Sequence, residues 1–165
     1  MNLSIIDFNT YQESIPAVLD NINAPQLLKK QTKILIKPNL INDSAHPVTT
    51  HPDCCEVLIN YIKSHCKADI VIAEGCGEPC LETAKIFEQL GYTEISKRQQ
   101  IRLVDLNHEP LVKLKDASCS VFPEIYLPGI VLDHFLISVP VLKAHSLADI
   151  TGTLKNMIGL APPKY

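Results

Sequence analysis

Lysine, histidine, threonine and asparagine crowd one stretch near the end of this 165-residue chain, "PVLKAHSLADITGTLKNMIGL" at positions 140 to 160. Lys143 and His145 stand two residues apart, so in extended backbone both side chains leave the same face. A lysine there can hold an anion or, when desolvated, act as a base or nucleophile. A histidine can carry a proton near neutral pH. Thr151, Gly152 and Thr153 precede a short helical pattern, "TLKNMI", with Lys155 and Asn156 inside it. N–H groups at such a start, with the threonine hydroxyls and the Lys155 ammonium, make a site for a phosphate or carboxylate. The G-x-x-x-x-G-K-[ST] spacing of a nucleotide-binding loop is absent.

Three other places carry comparable chemistry. Lys37 and Asn39 follow "KILI", Glu74 closes "DIVIAE", and Asp105 lies in "IRLVDLN". The polar stretch 42–53, "NDSAHPVTTHPD", brings Thr50 and His51 to the start of the next helix as further ligand contacts. Cys76 and Cys80 are spaced C-x-x-x-C, not the C-x-x-C of redox motifs, and the other four cysteines form no matching run. The expectation is therefore reduced thiols and no metal bound within the chain.

These groups need elements to position them. The runs near 33–39, 69–75, 101–107 and 134–140 have strand length and are apolar on both faces, as strands of a covered parallel sheet are. Between them, Cys55, Leu58, Ile59, Ile62 and Cys66 recur at helical spacing behind Pro52, and Thr83, Ile86, Phe87 and Leu90 do so ahead of Gly91. An earlier segment with Pro16 and Pro25 predicts one or two short helices, and residues 108–132 predict an antiparallel hairpin at a sheet edge. Alternating strands and helices specify a single three-layer, Rossmann-like α/β domain over 1–165, mostly parallel, with helices on both faces. In such a sheet ligands bind beyond the carboxyl ends of the strands. Lys37, Glu74, Asp105 and His145 would then share one rim, with His145, Lys143, Glu74 and Asp105 as candidate catalytic groups. Lys37, Asn39, Thr50, His51, Thr151, Gly152, Thr153, Lys155 and Asn156 would contact the ligand.

Composition narrows the function classes. A formal net charge of −3 supplies no basic field for nucleic acid. No apolar run reaches the ~18–20 residues of a membrane span, and the N-terminal residues lack a signal-peptide pattern, so a cytoplasmic location is expected. The reading is a domain that binds a small anionic metabolite.

"IKPNLI", "PVTTHP", "IAEG", "LVDLN" and "LISVPVLKAHSLADITGTLKNMIGL", in this order, resemble the family known as domain of unknown function 362, over about residues 30–162. The resemblance implies an iron–sulfur protein partner, since members often stand beside ferredoxin-like modules. It also implies a redox-linked enzyme or, as the rival, a non-catalytic electron-transfer accessory. Family members usually continue beyond this block, so the chain reads as a short or truncated member. A more distant likeness, to the N-terminal domain of lactate racemase, rests on Asp133, His145, Gly152 and Lys155.

Overall fold

A computed structural model describes residues 2–161 apart from Pro79 and Leu147. The chain opens with α1 (Tyr11–Asn21), capped by the Thr10 hydroxyl, which accepts from the Glu13 N–H. The helix runs through Pro16 and ends only at Ile22. Asn23 then takes a left-handed conformation (φ 59°), and α2 (Ala24–Leu28) starts with Pro25 in its first turn, where a missing N–H costs nothing.

The central sheet consists of β1 (Lys33–Pro38), β2 (Asp69–Glu74), β3 (Arg102–Asp105) and β6 (Phe135–Val139), all parallel, in the order β3-β2-β1-β6. Five of six residues are buried in both β1 and β2, so the unbroken aliphatic runs there reflect cover on both faces. One face packs Ile34, Ile36, Ile70 and Ile72 against α3 (Pro52–His65), α4 (Thr83–Gln89) and α5 (Tyr92–Gln99). The other packs Leu35, Val71, Ala73 and Val104 against Leu127, Ile130, Val131, Met157 and Leu160.

That second layer is thinner than the expected helical one. It is built from the hairpin β4 (Leu111–Lys115) and β5 (Glu124–Pro128), the five-residue α6 (Gly129–Asp133), and a terminal turn. The predicted hairpin in 108–132 is present, but it forms its own two-stranded sheet and lies over the face through Leu127 instead of extending the edge. Helix α5 is an addition to the sequence reading. "YTEISKRQ" buries only Tyr92 and Ile95, too few apolar positions to announce a helix.

The chain steps from β1 to β2 to β3 with its crossovers on one face, then returns on the other face to set β6 beside β1. Right-handed crossovers demand this change of face when the direction reverses. The gap beyond the carboxyl ends of β1 and β6 is therefore the topological switch point, where open α/β sheets leave a crevice. Into it the chain sends β7 (Lys143–His145), β8 (Asp149–Thr151), the single-turn α7 (Thr153–Asn156) and a 3-10 turn, Met157–Leu160. Among the described residues no helix is long and apolar enough to cross a membrane.

Candidate functional site

At the end of β1, Lys37 is buried to 1% exposure, and its ammonium donates to Glu74 Oε1 at 2.6 Å, to Asn156 Oδ1 at 3.2 Å and to the Pro38 carbonyl at 3.2 Å. Glu74, at the end of β2, also accepts from the backbone N–H of Gly75 at 3.0 Å and of Leu40 at 3.2 Å. Burial pushes the Lys37 pKa down and the Glu74 pKa up, and the short contact between them opposes both shifts. The two buried groups are thus bonded to one another, to Asn156 and to the neighbouring backbone, which offsets part of the cost of removing them from water.

Gly159 closes the top of this pair. A Cβ there would stand 2.6 Å from Glu74 Oε1 and 2.8 Å from Lys37 Nζ, so only glycine lets the terminal turn settle so close. Asn156 locks the same turn down. Its amide donates to the Lys37 carbonyl at 3.2 Å and to Ser138 Oγ at 3.0 Å, joining α7 to β1 and β6.

Around this floor lies a cleft of about 90 Å³ walled by Asn39, Leu40, Gly75, Gly77, Lys155 and Ile158. Lys143, on the β7–β8 hairpin, does not line the cleft itself but stands behind its Asn39 wall, donating to Asn39 Oδ1 at 3.4 Å and to the Val48 carbonyl. Its pKa is lowered by partial burial and by the nearby charge of Lys155. Among the described residues neither Lys143 nor Lys155 has a carboxylate within ion-pair distance, whereas Lys33, Lys37, Lys113 and Lys115 each have one.

Thr50 and Thr151 brace the walls. Thr50 accepts from the Asn39 N–H at 2.9 Å and donates to the Val139 carbonyl at 2.7 Å, stitching β1 to β6 at the switch point. The Thr151 hydroxyl accepts from the Lys143 N–H at 3.1 Å and sits within hydrogen-bond distance of the Val141 and Lys143 carbonyls, so it serves the hairpin.

The other expected site residues stand apart from the cleft. His51 caps α3 by accepting from the Asp53 N–H and lines a separate recess with Tyr11, His46, Cys54 and Pro140. Asp105 accepts from the Thr83 hydroxyl at 2.9 Å and the Asn107 N–H at 3.0 Å. His145 accepts from the Ala148 N–H across its own hairpin turn. Thr153 borders an apolar groove with Leu28, Leu58, Ile137 and Met157. A Cβ on Gly152 would meet nothing within 4 Å. Of the proposed rim, Lys37 and Glu74 touch, while Asp105 and His145 are engaged by their own surroundings. Asp133 forms an ion pair with Lys33 at the first residue of β1, the opposite end of the sheet from Lys155.

Gly159, Ser138 and Asn107 have parts that sequence reading did not assign. Gly159 carried one signal, a glycine inside an apolar helical pattern, which marks a close approach of backbone. Asn107 is 6% exposed, and its Oδ1 lacks a partner among the described residues. That oxygen lies 3.1 Å from where a Gly75 Cβ would be. None of the cysteines forms a disulfide; the Cys76 thiol is buried against the Ile41 carbonyl and Cys80 is exposed.

A family model described as Domain of unknown function (DUF362) matches residues 34–165, which include β1 apart from its first residue, Lys33, and every element after it. No curated protein and no solved structure matches the chain. The matched region holds the central sheet but for Lys33 and every residue that lines the cleft, and on that extent the chain belongs to the domain of unknown function 362 family.

Proposed function

We propose that the chain binds a small phosphate- or carboxylate-bearing ligand in the cleft at its switch point, with Lys143 and Lys155 as the anion contacts. Asn39 orients Lys143, and the Lys37–Glu74–Asn156 cluster is a rigid floor that sets the spacing. The observation that carries this reading is the pairing of Lys155, in the cleft wall, with Lys143, hydrogen-bonded to Asn39 of the same wall: two lysines from different elements, without carboxylate partners among the described residues, whose charges act on one another beside the Lys37–Glu74 ion pair. Two like charges held together repel, and an anion between them removes that cost. The cleft's small volume favours a phosphate, a pyrophosphate or a short carboxylic acid as the group that enters.

Thermal unfolding against a panel of phosphates, carboxylates and nucleotides tests it, because a ligand bound only by the folded state raises stability by mass action. The expected result is a rise in Tm with at least one class, abolished in Lys143→Ala/Lys155→Ala. A flat response of the wild type across the panel, or an equal rise in the double variant, rejects the proposal.

A further inference from the structure

Beyond the carboxyl end of β3, three side chains that the anion cleft does not use converge. Glu82 precedes α4, Asp105 ends β3, and His108 closes the 3-10 turn Leu106–His108. His108 Nε2 lies 3.3 Å from Glu82 Oε2 and 3.8 Å from Asp105 Oδ2, and one ligand atom from each residue falls within 4.8 Å of the others. Ligand atoms about 2.1 Å from a common ion stand roughly 3.0–3.5 Å apart in octahedral or tetrahedral order, so small side-chain rotations bring these three into range. We propose that Glu82, Asp105 and His108 bind a divalent transition-metal ion at the rim of the sheet.

The support around Asp105 fits that role. Thr83, fully buried, and the Asn107 N–H both occupy Oδ1, which leaves Oδ2 toward His108. Outer hydrogen bonds that orient a coordinating carboxylate are a regular feature of metal sites. An ion-pair network alone explains less. His108 and Glu82 have side chains 61% and 58% exposed, and pairs this exposed contribute little stability. One imidazole with two carboxylates suits manganese, iron(II), cobalt or zinc better than magnesium or calcium, which prefer oxygen alone. Three protein ligands leave positions for water or a further ligand.

Manganese(II) is the useful probe, because it avoids the thiols that would capture zinc elsewhere in a chain with six cysteines. The full chain, titrated with manganese(II), is expected to remove one equivalent of the free-ion electron paramagnetic resonance signal. In NMR spectra the His108 ring signals should broaden ahead of those of the other five histidines. Glu82→Gln and His108→Asn, both exposed and outside the core, should each weaken binding at least tenfold with unchanged Tm. Zinc(II) should displace the bound manganese. An undiminished free-ion signal, broadening centred on another histidine, or equal affinity in both variants overturns the assignment. Neither variant touches Lys143 or Lys155, so their response in the anion panel separates failure of this site from failure of the cleft.

Discussion

The pair Lys37–Glu74 governs the chemistry of the cleft through position and not through exposure. Removing one partner leaves a buried charge without compensation, which costs about 3–5 kcal/mol. Lys37→Met should therefore lose stability on that scale in urea unfolding, and Lys37→Met/Glu74→Gln should recover at least ~1 kcal/mol of it. Additive losses in the double variant would show that the two groups act separately. Gly159→Ala sets a Cβ against both charged ends and should cost roughly 1–3 kcal/mol, as overpacking does. Gly152→Ala, at extended backbone (φ −172°) with open space, should change stability by no more than ~0.5 kcal/mol. Lys37 was legible in the sequence as a polar residue closing an apolar run. Its burial was not, because a lysine at a strand end reads the same whether solvated or sealed under a glycine that lies 122 positions further along the chain (159 − 37).

Among the elements, β1 and β2 announced themselves because burial on both faces leaves an uninterrupted aliphatic signal, β3 and β6 through similar apolar runs although they are only partly buried, and α3 through apolar residues at helical spacing. The parts built from few apolar contacts did not. Helix α5 enters the core only through Tyr92 and Ile95 and is also tied to α3 by polar contacts, with Arg98 donating to both Glu56 oxygens at 3.0 and 2.7 Å and Gln99 donating to Glu56 and Asn60. The Arg98 guanidinium holds the Glu56 pKa below its ordinary value. A depressed carboxylate pKa means the unfolded chain binds the proton more readily, so the pair stabilises the fold above the ordinary glutamate pKa and ceases to as pH falls through the depressed one. The stability difference between wild type and Glu56→Gln should therefore be present at pH 7 and fade below about pH 4. A difference that persists undiminished at pH 3 would assign the effect to packing. The hairpin over the second face illustrates the same limit. Alternation in 108–132 predicts two strands, but which sheet they join depends on Leu127 meeting a face made by residues far away in sequence.

For the whole molecule, reversal of strand order between β1 and β6 is what makes one cleft out of separate strand ends. The sequence supports a common rim but cannot divide it, because the division is set by which neighbours each polar group finds. Lys37, Asn39, Glu74, Lys143, Lys155 and Asn156 gather at the switch point, while Asp105 stands one strand further out, with Glu82 and His108. The central claim is that the first group holds an anion through Lys143 and Lys155. Calorimetric titration with pyrophosphate, at low and at physiological salt, tests it most directly. Wild type should bind with an affinity that falls as salt rises, since exposed charges are screened, and Lys143→Ala/Lys155→Ala should bind at least tenfold more weakly at low salt. The same affinity in wild type and double variant, or the absence of binding heat in both, would contradict the account.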